Sequence, residues 1–165
     1  MNAFEFGMKM EEDGRQFYLE HAEKTTLPEL KSILLELADD ELKHYNTFKE
    51  LRDGHLKRDH TLEQTVVLTS LKNVFEKMRE SKQEFTFQSE AKKIWEEALA
   101  IEKKAEILYR EKAKEVESES EKRAMLWMAE EEKRHWVTIQ NVISFLDHPR
   151  RWLADAEWGS LEEEY

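Results

Sequence analysis

Two histidines in this sequence each follow a glutamate by three residues, as Glu41-x-x-His44 and Glu132-x-x-His135. On a helix, three residues turn the chain by about 300°, so each pair presents a carboxylate and an imidazole on one face. Those are the donor groups of a transition-metal site. With six histidines and 37 acidic residues among 165, about one such pair arises by chance, so the spacing alone decides little. Position decides more. The pairs interrupt two apolar stripes, Leu30, Leu34, Leu37, Glu41, His44, Phe48, Leu51 and Met125, Met128, Glu132, His135, Ile139, Val142, Leu146, at places that a core leucine would otherwise hold. Burying ionised carboxylates without partners costs several kcal/mol each, and a buried cation is the natural compensation.

The pattern is used twice. Glu102, Tyr109, Glu132 and His135 each lie 91 residues after Glu11, Tyr18, Glu41 and His44. Each half carries a core glutamate (Glu11, Glu102), a small residue three later (Gly14, Ala105), a tyrosine seven later and a Glu-x-x-His thirty residues after the first glutamate. Two lone glutamates and two Glu-x-x-His units are the ligand set of di-iron and di-manganese four-helix bundles. Glu11, Glu41, His44, Glu102, Glu132 and His135 are therefore the candidate metal ligands, and their oxygen and nitrogen donors favour Fe, with Mn possible, over soft metals.

Four helices are needed to bring these residues together, and the composition supplies them. Charged residues make up 38% of the chain, with only 4 Gly and 2 Pro, which favours long helices over strands. The first helix runs from Phe4 through Met8, Glu11 and Tyr18 to Ala22 and breaks around Thr25, Thr26 and Pro28. Thr26 is the expected cap of the second helix, Pro28 sits in its first turn, and Gly54 ends it. From Asp53 to about Ser89 the chain is too long for a hairpin link and reads as a crossover with a short helix over 62–78. The third helix spans about 91–116, with Trp95, Ala98, Glu102, Ala105, Tyr109 and Ala113 inward, and a serine in 117–120 can cap the fourth, which runs to about Asp147. The expected architecture is all-α: one bundle domain over 1–148 with a long crossover between its second and third helices, and a tail over 149–165, holding Trp152 and Trp158, packed on the bundle.

Charge and composition remove other classes. A net charge of -11 opposes binding to nucleic acid or anionic lipid. No apolar run approaches the ~20 residues of a membrane span, so a cytoplasmic protein is expected. With no cysteine among the 165 residues, disulfides, iron-sulfur clusters and thiolate iron sites are excluded within them.

The segments Glu11-Glu-Asp-Gly-Arg-Gln-Phe-Tyr18, Leu37-Ala-Asp-Asp-Glu-Leu-Lys-His44, Glu102-Lys-Lys-Ala-Glu-Ile-Leu-Tyr109 and Ala129-Glu-Glu-Glu-Lys-Arg-His135 resemble the rubrerythrin-like branch of the ferritin superfamily, over roughly residues 1 to 148. The resemblance implies a ferritin-like bundle holding two Fe ions, with Glu41 and Glu132 bridging them and Glu11 with His44, and Glu102 with His135, completing the two ends. It implies that Tyr18 and Tyr109 hydrogen-bond ligand carboxylates of other helices. It also implies a homodimer and a redox reaction with peroxide or dioxygen. Full-length rubrerythrins carry a cysteine-rich rubredoxin module that passes electrons to the site; this cysteine-free sequence needs an external electron donor protein or reductase. Rubrerythrins tend to have a second glutamate one turn after the third-helix ligand, and here that position is Ala105.

Three functions share this site: a peroxide- or dioxygen-reducing enzyme, a ferroxidase or iron-storage protein, and a bundle that its metals merely staple. The first is favoured by the likeness of the motifs. His21, His55, His60 and His148 lack a glutamate at ligand spacing and are assigned no role, and Trp95, Trp127 and Trp136 are read as packing residues. Asp40 and Glu131, one turn before the ligand histidines, are placed to orient them.

Overall fold

The computed structural model describes residues 1–54 and 89–147. These form four helices, α1 (Ala3–Lys24), α2 (Pro28–Arg52), α3 (Ser89–Glu115) and α4 (Glu119–Asp147), and no strand occurs among the described residues. The protein is an all-α four-helix bundle. The crossover with its helix at 62–78, His55, His60, His148 and the tail over 149–165 lie outside the described residues.

Local chemistry sets the helix ends. Asn2 accepts from Glu5 N at 2.8 Å while Glu5 accepts from Asn2 N at 3.0 Å, a capping box that starts α1. At α2 the structure corrects the expectation: the N-cap is Leu27, with no side-chain cap, rather than Thr26. Pro28 accounts for this, because the residue before a proline is driven to extended backbone (Leu27 φ -88°, ψ 115°) and so becomes the last non-helical residue. The α2 exit passes through Gly54 at φ 71°, where a side chain would be strained. Ser118 precedes α4 and accepts, at 3.5 Å, from Glu121 N, as the sequence led us to expect of a serine there.

The short links make α1–α2 and α3–α4 hairpins, each packed along its length. Between α1 and α3 contact is sparse. Inside lie two apolar clusters. One gathers Leu30, Ile33, Leu34, Leu37, Trp95, Ile139, Val142 and Phe145, and the other Met8, Phe48, Ala113, Met125 and Met128. Glu11, Glu41, His44, Glu102, Glu132 and His135 are buried between residues of these clusters on the same helices, so a polar layer divides the apolar core.

Candidate metal centre

Each helix contributes to that layer. α1 supplies Glu11, α2 Glu41 and His44, α3 Glu102, and α4 Glu132 with His135, and none of the six is more than 3% exposed. One donor atom each from Glu41, His44, Glu132 and His135 lie within 4.8 Å of one another. His44 Nδ1 stands 3.1 Å from Glu11 Oε2 and 3.4 Å from Glu132 Oε1. His135 Nδ1 stands 3.0 Å from Glu41 Oε1 and 3.6 Å from Glu102 Oε2. Each histidine therefore meets the lone glutamate of its own half and the Glu-x-x-His glutamate of the other half. The two imidazoles stack across the middle, 5.2 Å between centroids. All six sequence-predicted residues come together.

The 91-residue repeat appears here as a two-fold arrangement whose outer bonds cross between halves. Tyr18 donates its hydroxyl to Glu102 Oε1, and Tyr109 donates to Glu11 Oε1. Burial, with the neighbouring carboxylates, pushes both phenols well above their ordinary pKa and keeps them protonated donors. Asp40 and Glu131 also cross. His135 Nε2 lies 3.7 Å from Asp40 Oδ2, and His44 Nε2 lies 3.8 Å from Glu131 Oε2, so each acid faces the histidine of the partner helix rather than that of its own. Lys43 holds the other oxygen of Asp40 at 2.8 Å, and Arg134, 91 residues later, holds that of Glu131.

Four buried carboxylates need positive charge. Burial raises Glu41 and Glu132 well above the usual carboxylate range, and the charges of Glu11 and Glu102 raise them further. For His44 and His135 burial works the other way, yet the surrounding carboxylates hold both imidazoles well above their ordinary pKa. Burial would raise Glu102, but His135 first, then the hydrogen bonds with Glu132 and Tyr18, outweigh it and leave Glu102 below its usual value. Glu41 Oε1 and Glu132 Oε1 lack a well-directed hydrogen bond. Buried acceptors, raised carboxyl pKa values and an oxygen–nitrogen donor set fit a site in which divalent cations replace protons.

The rubrerythrin family model matches residues 2–92 and 93–159, the second match starting 91 residues after the first. The chain belongs to the rubrerythrin family. No curated protein and no solved structure matches it. In this chain the family's di-iron character and the buried Glu/His cluster coincide.

Several features of the site were not foreseen. Gly14 passes so close to α2 that a Cβ there would stand 2.8 Å from Glu41 Oε2, and at Gly7 a Cβ would meet three atoms of the Phe48 ring at 2.5 to 2.6 Å. Trp127 packs edge-on against His44 with centroids 5.8 Å apart, and the Trp136 indole donates to Glu106 at 2.7 Å. His21 lies in the last turn of α1 against Phe17, apart from the cage. Where α1 and α3 diverge, a cleft of about 380 Å³ descends to Glu11, Glu41, Glu102 and Glu132. No helix among the described residues is long and apolar enough to cross a membrane.

Proposed function

We propose that this member of the rubrerythrin family is a non-haem di-iron oxidoreductase that reduces hydrogen peroxide or dioxygen, drawing electrons from an external donor protein or reductase. The observation that supports it is the two-fold cage of four glutamates and two histidines, buried on four helices. Glu11 with His44 and Glu102 with His135 would hold the two ends, and Glu41 and Glu132, each facing the other half's histidine, would hold both ions. Bound there, two Fe(II) would supply two electrons to an O–O bond. The chain's own part is to fix the donors and keep their charge balanced. Tyr18 and Tyr109 hold Glu102 and Glu11 from behind, Asp40 and Glu131 face the outer nitrogens of the imidazoles, and the apolar clusters close both ends of the layer to water. The cleft between α1 and α3 gives a small oxidant its way in.

An anaerobic Fe(II) titration followed by rapid mixing with hydrogen peroxide or air-saturated buffer tests this. Two Fe(II) per chain, oxidised faster by peroxide, is the expected result for a peroxide reductase. Faster oxidation by dioxygen with uptake continuing past two points instead to a ferroxidase or storage protein. Retention of metal by the Glu41→Ala/Glu132→Ala double variant would sink the ligand assignment.

A further inference from the structure

The cleft is built for more than a two-oxygen molecule. Its apolar walls are Phe6, Met10 and Phe17 from α1 and Ile101 and Leu108 from α3, half-buried except for Ile101, which is 38% exposed, and two exposed charged residues, Asp13 and Lys104, line it beside them. Its floor is the four carboxylates of the cage, reached beside Gly14, which has no side chain, and Ala105, which has only a methyl group. At about 380 Å³ it has the size of a small-molecule pocket and holds about a dozen times the ~30 Å³ that one water takes in the liquid. An apolar cavity of ~150 Å³ is enough to bind benzene. Hydrogen peroxide, polar over its whole surface, gains nothing from phenyl, thioether and aliphatic walls. A molecule with an apolar body does.

We infer that the substrate class of this site is the neutral organic hydroperoxide, with its apolar body between α1 and α3 and its –OOH head at the carboxylate floor. This rests on the di-iron reading above. Four carboxylates balance two Fe(II), so the floor has no net charge and suits a neutral head better than an anionic one. The reaction is ROOH + 2 Fe(II) + 2 H+ → ROH + H2O + 2 Fe(III). The O–O bond breaks, each oxygen takes one proton from solvent, and the two electrons come one from each Fe(II), to be restored by the external one-electron donor.

Two measurements decide it. In the first, the di-ferrous protein is mixed anaerobically with hydrogen peroxide, tert-butyl hydroperoxide and cumene hydroperoxide. The last two share their chemistry and differ by a methyl against a phenyl, so the cleft should make cumene hydroperoxide faster by about ten-fold or more. Leu108→Trp, which enlarges a wall residue that is not itself a ligand, should bring that ratio towards one. In the second, 2-phenyl-2-propanol is titrated into the Zn(II)-loaded protein by proton NMR, where resonances of Phe6 and Phe17 should shift while tert-butanol at the same concentration leaves them in place. If hydrogen peroxide oxidises the iron but the two organic hydroperoxides react alike, the cleft assignment falls and the di-iron reading stands. Unshifted phenylalanines overturn the assignment equally, whether a second copy of the chain covers the cleft or nothing does. Should no peroxide and no dioxygen oxidise the iron, the di-iron oxidoreductase reading itself falls, and the substrate assignment with it.

Discussion

Tyr18 and Tyr109 show how single atoms make the two ends of the cage separable. Tyr18 belongs to the first half of the repeat but holds Glu102 of the second, and Tyr109 of the second half holds Glu11 of the first. Removing either hydroxyl leaves a buried carboxylate oxygen without its donor, a loss of about 1.5–3 kcal/mol for a bond to a charged acceptor. Groups that steady a metal ligand from behind typically change affinity by about ten- to a hundred-fold. Tyr18→Phe is therefore expected to weaken one metal, at the Glu102/His135 end, and Tyr109→Phe the other, at the Glu11/His44 end, while the double variant weakens both. Stepwise titration with Co(II), whose spectrum reports coordination, reads this directly. Equal weakening of both metals by each single variant would mean that the tyrosines act on the bundle as a whole.

At the scale of an element, α1 carries two glycines that answer the same substitution in opposite ways. Gly7→Ala drives a Cβ into the fully buried ring of Phe48, and overpacking of about 1–3 kcal/mol outweighs the ~1 kcal/mol that alanine gains over glycine in a helix. Its melting temperature should fall with or without metal. At Gly14 the new Cβ meets only the far end of the Glu41 side chain, which can swing aside. Gly14→Ala should leave the metal-free protein as stable or more so, yet bind metal more weakly; unchanged metal affinity would show that Glu41 does not need that space. Nothing in the sequence announced these contacts, because a glycine in a helical run does not say which neighbour it touches. The stripes were legible: the inward residues of the second and fourth helices are buried as read, except Leu51, which is only partly so. Their period is a property of one helix. Pairings between helices were legible only where the repeat supplied a second copy to compare. Hence the six cage residues could be read together, whereas the crossing of Asp40 to His135 and Glu131 to His44 could not. The cleft was equally invisible, since it arises where two helices make only sparse contact.

For the whole molecule, the cage decides how stability depends on pH. In the metal-free protein His44, His135, Glu41 and Glu132 all have folded pKa values above their unfolded ones, and Glu102 alone among the shifted cage acids and imidazoles lies below. A group with a raised folded pKa binds its proton more tightly when folded. Its contribution is complete below the unfolded value, about 4.3 for Glu and 6.5 for His, and is lost as pH climbs through the folded value. Four such groups against one mean that the metal-free protein should melt at lower temperature as pH rises through neutrality. Metal reverses the sign. The ions compete with those same protons, so affinity rises with pH, and loading should release about two to four protons per pair of ions. Since the cage ties all four helices together between two apolar clusters, binding energy at this layer becomes stability of the bundle. Calorimetry on the metal-free and Zn(II)-loaded forms from pH 6 to 8.5 should therefore give melting temperatures that diverge, falling in one and rising in the other. The surface charge behind the net -11 acts on both forms alike and cancels in the difference. Parallel curves would mean that the buried acids keep their charge balance without a cation, and the reason for placing metal among them would be gone.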